Sequence, residues 1–213
     1  LLTDTDTGHL GAAMVIIYGV VDILSTTILV AIYPMMSRAY RGDGHDATFR
    51  FIGEKLAFFT LLIGLPIGLV FSRFAAEIIV PLFGAAYVET AAILRVLIWY
   101  AVVAMVANVF AQSLMVQNRQ RFLVMVRIGG LAVKLALSLF LLPRIGVIGA
   151  ALATASAELL VLVVLTRDFR PDFAALLPRL ARLAAIALVT GLAMAALGSI
   201  HVVLGIVSGA LVY

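Results

Sequence analysis

The chain has 213 residues, of which 64% are hydrophobic and only 12% charged, with a mean hydropathy of +1.19. Its 15 Lys and Arg and 11 Asp and Glu are too few to cover a water-soluble domain of this size. Runs of 18 or more apolar residues, not the alternation of a β-barrel, recur along it, so the expected fold is an all-α polytopic transmembrane bundle of about six to seven spans. The lack of cysteine excludes disulfides and thiolate metal sites, and the net charge of +4 reads as membrane topology, with no nucleic-acid partner, because the basic residues gather at the ends of apolar runs.

In chain order, span A runs from about Gly11 to Met36, and the polar turn region "SRAYRGDGHDATFR" follows it. Span B covers about Lys55 to Phe71 and holds Gly64 and Gly68, a GxxxG packing signal, with Pro66 between them expected to kink it. The half-apolar stretch "SRFAAEIIVPLFGAAYVE" is expected to lie in the interface or to form a short re-entrant turn. Span C is drawn over about Thr90 to Val116, span D over 122–143, and span E over about Val147 to Thr166. Gly149, Ala153 and Ala157 form a small-residue ridge on E, as helix contacts in lipid require. The stretch "RDFRPDFAALLPRLAR" reads as an amphipathic linker, residues 167–181, before span F at about Arg182 to Leu197. A last apolar piece, 201–213, falls short of the roughly 20 residues a crossing needs and is drawn as a truncated span G. The opening Leu-Leu lacks the basic region of a signal peptide and Tyr213 lies within an apolar run, so the chain is read as a fragment of a larger protein.

Lys and Arg orient these spans. Ten of them (Arg38, Arg41, Arg50, Lys55, Arg119, Arg121, Arg167, Arg170, Arg179 and Arg182) fall in one set of connections, and two (Arg73 and Arg144) in the alternate set. That bias assigns the first set to the cytoplasm. Arg95, Arg127 and Lys134 remain, inside helices or at their edges.

Enzyme motifs are absent: there is no GxxxxGK[ST], GxSxG or HExxH. No catalytic residue, cofactor or metal is expected. His9, His45 and His201 are scattered, and "GDGHD" is ordinary turn chemistry. The informative residues are ionisable groups deep in spans, where a charge costs at least about 2.5–3.5 kcal/mol and marks a functional site by default. Asp22 lies about 16 Å into A, with Glu158 at a similar depth in E. Lys134 lies about 18 Å into D. Arg127, about five residues into D, either snorkels to the headgroups or faces a partner. Seven residues separate Arg127 from Lys134, almost two turns, so both cations share one face. Lys134 pairs with Asp22 or Glu158, or lines a wet cavity that takes an anionic head group; the two readings are compatible. Asn108 and Gln112, one turn apart in C, bond across helices or to sugar hydroxyls.

Three stretches in order, "YGVVDILSTTILVAIYPMMSRAY", "PLFGAAYVETAAILRVLIWY" and "LLPRIGVIGAALATASAELL", resemble the second half of the oligosaccharide flippases, polysaccharide biosynthesis exporters of the multidrug/oligosaccharidyl-lipid/polysaccharide superfamily. The most specific set is Pro143, Arg144, Gly146, Gly149, Ala150, Ala151 and Glu158. The resemblance covers about Gly11 to Thr166. It implies the C-terminal lobe of a two-lobe flippase, residues 1–166 without the lobe's first helix, with 182–213 as added helices. It further implies alternating access and the flipping of undecaprenyl-diphosphate-linked oligosaccharide across the bacterial inner membrane, beside polysaccharide polymerase and glycosyltransferase partners. In that scheme Lys134, Arg127, Asn108 and Gln112 bind the substrate, while Asp22 and Glu158 couple transport or pair charge. Lys134 departs from the family, which usually has a neutral polar residue near that place. The competing readings are a cation-coupled multidrug exporter, a lipid II flippase and a non-transporting scaffold of a glycan-assembly complex.

Overall fold

The computed structural model describes residues 3–23, 27–40, 47–169, 181–183 and 185–192. They form helices α1 (Asp4–Val21), α2 (Thr27–Ala39), α3 (Ala47–Arg73), α4 (Ala75–Phe83), α5 (Thr90–Val116), α6 (Gln120–Ile145) and α7 (Val147–Phe169), with one 3-10 turn at Ala85–Tyr87. A short apolar helix, α8 (Ala181–Leu192), follows. Among the described residues there is no strand, and α3, α5, α6 and α7 are long and apolar enough to cross a membrane. These four match spans B, C, D and E, with α5 reproducing the bounds drawn for C.

α5 is the axis of the bundle. It is apolar on all sides, as a helix enclosed by others must be, and α1, α3 and α7 all pack on it. Leu94, Leu97, Ile98 and Ala101 are fully buried at its start, and Ala107, Val109 and Leu114 nearly so towards its end. The GxxxG signal of α3 lies on this contact. A Cβ at Gly64 would come within 3.3 Å of Val102, and one at Gly68 within 3.2 Å of Val102 and 3.4 Å of Trp99. The two glycines thus let α3 approach α5 more closely than side chains would allow. The ridge Gly149, Ala153 and Ala157 of α7 is buried as well.

The turns follow local chemistry. α5 closes in a Schellman motif: the Arg119 N–H donates to the Leu114 carbonyl at 2.9 Å, and the Asn118 N–H to Met115 at 3.1 Å. Asn118 takes the left-handed conformation (φ 57°) that the motif needs and that Asn tolerates. α1 opens in a capping box, Thr3 and Asp6 exchanging hydrogen bonds at 3.0 and 3.1 Å.

The described helices depart from the drawn spans at several places. α3 begins at Ala47, eight residues before the start drawn for span B, and takes in the end of the polar turn region. Span A is not one described helix: α1 ends at Val21, the winding loosens to π at Asp22 and Ile23, and α2 begins at Thr27. Asp22 is thus the C-cap of α1, at the start of the π winding. The stretch after α3 is the helix α4 and the 3-10 turn, with Ala75 and Ile79 buried. α7 runs on to Phe169, past the linker boundary at 167, because Phe169 stacks on Phe110 and Phe49 at ring distances of 5.1 and 6.1 Å. The rest of the linker through residue 180, the GDGHD turn and span G lie outside the described residues, as does span F beyond Leu192.

Candidate functional site

A cavity of about 790 Å³ opens between the end of α1, the middle of α2, the second half of α5 and the first half of α6. Its walls are mostly apolar, from Ala111, Met115, Leu123, Ile128 and Leu131 among others, while Asp22, Arg127, the amides of Asn108 and Gln112 and the phenol of Tyr33 are its polar side chains. Four of the six residues singled out from the sequence therefore meet in one space, though they come from three helices.

Arg127 organises the site. Its Nη1 donates to Glu158 Oε1 at 2.8 Å and its Nη2 to Asn108 Oδ1 at 3.0 Å. The guanidinium thus joins α6 to both α5 and α7, and the snorkelling alternative is not the conformation adopted. Glu158 stands eleven residues from either end of α7, with its side chain only 11% exposed. A carboxylate there calls for a cation, and the planar fork of an arginine holds it and an amide oxygen in a fixed geometry. One hydrogen bond of each Nη is accounted for, and 37% of the Arg127 side chain is open to the cavity side of the bundle. Donors remain for an incoming acceptor.

Local sequence makes this reach possible. Leu123 and Gly130 are the buried residues of α6, one turn before and after Arg127 on the face packed against α7. A Cβ at Gly130 would meet Val161 Cγ2 at 2.5 Å, so only glycine lets the helices close there. α6 and α7 run antiparallel, so Gly130 opposite Val161 brings Lys134 level with Ala157, beside Glu158. The expected pair of Lys134 with Asp22 or Glu158 is not formed: Arg127 reaches past Gly130 and takes Glu158. Lys134 is half-buried, without a hydrogen bond or ion pair in the described structure, and is not part of the cavity wall. Gln112 lines the cavity with its amide unengaged, and Asp22 is exposed at its rim.

Two connections outside the cavity escaped the sequence reading. Arg119 grips Asp168 with both terminal nitrogens, at 2.7 and 2.8 Å, tying the α5–α6 turn to the end of α7. That hydrogen-bonded carboxylate pushes the already high Arg119 pKa further up. At the opposite end, buried His9 Nδ1 lies 2.8 Å from Thr90 Oγ1, with its ring edge-on to Tyr87, and links α1 to α5. Neither pair could be found by spacing, since 49 and 81 residues separate the partners. No family model, curated protein or solved structure matches this chain.

Proposed function

We propose that the chain forms the C-terminal lobe of a non-enzymatic flippase. It moves undecaprenyl-diphosphate-linked oligosaccharide across the bacterial inner membrane for cell-surface polysaccharide synthesis, with no cofactor, in company with polymerase and glycosyltransferases. The observation that carries the reading is Arg127, a guanidinium held at the wall of a large, mostly apolar cavity inside a membrane bundle. A buried charge of this kind is costly unless it serves a site. Its fork matches a phosphate bidentately, and in a site poor in water that attraction far exceeds its value in bulk.

Glu158 and Asn108 hold Arg127 while the cavity is empty. When the diphosphate enters, Arg127 turns to it, and Glu158 passes to Lys134, which stands level with it on the same face of α6. The carboxylate is then never left alone in a medium where an unpaired charge costs several kcal/mol. The amides of Asn108 and Gln112 face the sugar hydroxyls, and the prenyl tail stays in lipid. On this reading the α5–α6 turn, with Arg119 and Arg121, faces the cytoplasm.

The runner-up is a cation-coupled multidrug exporter. The exposed, unpaired Asp22 at the cavity rim favours it. One experiment separates the two: complementation of polymer export in a strain lacking the protein, alongside drug tolerance in a sensitive host. The flippase reading expects Arg127→Gln to cut export at least about tenfold, the equivalent of one lost charge-assisted contact of roughly 1.4 kcal/mol, with no change in drug tolerance. Full export by that variant, or drug tolerance conferred by the wild type and lost in Asp22→Asn, contradicts it.

A further inference from the structure

A second pocket, of about 330 Å³, lies at the opposite end of the bundle from the α5–α6 turn and is lined by Leu69, Ser72, Arg73, Arg95 and Gly191. Arg73 is the last residue of α3, and Arg95 lies five residues into α5, about 8 Å along it. The sequence leaves this side of the membrane poor in cations: Arg73, Arg144 and the edge residue Arg95 are the three nearest to it. Two of these three converge on one pocket with a serine hydroxyl. Neither has a carboxylate partner among the described residues; Arg73 has only the ring of Phe74, 5.4 Å away, and Arg95 is exposed. Two like charges drawn to one hollow repel each other, and no acid of the described structure forms an ion pair with either, so the pocket suits an external anion.

We propose that this pocket binds a phosphate group at the membrane surface opposite the α5–α6 turn. Arg73 and Arg95 grip its oxygens, and the Ser72 hydroxyl donates a further hydrogen bond. A guanidinium fork matches phosphate geometry, and at headgroup depth the flanking apolar wall of Leu69 leaves room for an acyl chain. The inference is independent of the flippase reading, since it uses no residue of the larger cavity.

The test is native mass spectrometry of the full protein extracted from nanodiscs of equal phosphatidylglycerol and phosphatidylcholine, with and without millimolar inorganic phosphate. Wild type is expected to retain phosphatidylglycerol preferentially. R73Q/R95Q should lose that preference by about a hundredfold, as removal of two charge-assisted contacts of roughly 1.4 kcal/mol each implies. R144Q, whose arginine stacks on Phe140 at 3.6 Å outside the pocket, should keep it. Retention that survives inorganic phosphate assigns the site to a lipid head group; displacement, with direct phosphate binding by the wild type that R73Q/R95Q lacks, assigns it to free phosphate. Should the double variant fail to fold, R95Q alone tests the same direction, because among the described residues its side chain has no ion pair or hydrogen bond to lose. Equal retention and equal phosphate binding by wild type and variant overturn the proposal.

Discussion

Asp22 and Asp6 show what single residues contribute. Asp22 caps the C-terminus of α1, where the helix dipole is negative and a carboxylate is disfavoured by about 0.3–1 kcal/mol. On the proposed flippase reading, a charge kept at this cost on the cavity rim serves transport. Asp22→Asn should therefore raise the melting temperature slightly while lowering export; a variant with unchanged or lower stability contradicts the dipole account. At the other end of α1, the backbone and side chain of Thr3 hold the Asp6 carboxyl below its ordinary pKa of 3.8. Its folded pKa lies below the unfolded one, so its contribution is complete above the unfolded value and vanishes as pH falls through the folded one. Below about pH 4 the stability of α1 should thus decline with pH in the wild type and decline less in Asp6→Asn, measured by hydrogen exchange of the first turn of α1.

Among the helices, the contact of α6 with α7 is the most exacting. A methyl group at residue 130 would overlap Val161 Cγ2 at 2.5 Å, and valine, stiff about χ1, has little room to turn away. Gly130→Ala should destabilise the bundle by about 1–3 kcal/mol and carry Arg127 away from Glu158. Adding Val161→Ala should recover most of that loss, a coupling a double-mutant cycle measures directly; no recovery would place the clash elsewhere. Elements of this kind were largely legible in the sequence. Continuous apolar runs bounded by Arg, Gly and Pro give α5 to the residue and α6 and α7 to within three residues, while α3 starts eight residues before the run drawn for it; the small-residue patterns of α3 and α7 mark real contacts. The change from α to π winding at Asp22 and Ile23 was not legible, because "VVDILSTTILV" is apolar enough to continue a helix and has no proline or glycine to disturb it.

For the molecule as a whole, the six charged and amide residues chosen from the sequence separate into a cluster and an outlier. Depth along each span was readable, since a helix advances a fixed rise per residue. Which carboxylate meets which cation was not, because it depends on the stagger of α6 against α7, and that is set by Gly130 and Val161 rather than by charge. Lys134 was therefore the natural choice for the cavity, and Arg127 is the cation there. The exposed apolar face of α6, with Val124, Ile128 and Leu131, borders the same opening. The most direct test of Arg127 as the receptor of an anionic head group is the charge swap R127E/E158R, assayed for flipping of lipid-linked oligosaccharide in proteoliposomes. The swap keeps the ion pair between α6 and α7 but removes the guanidinium from the cavity wall, which Glu158 does not line. The account predicts a folded, inserted protein that no longer flips; flipping restored to the wild-type rate would make the pair a structural brace and contradict the transport role.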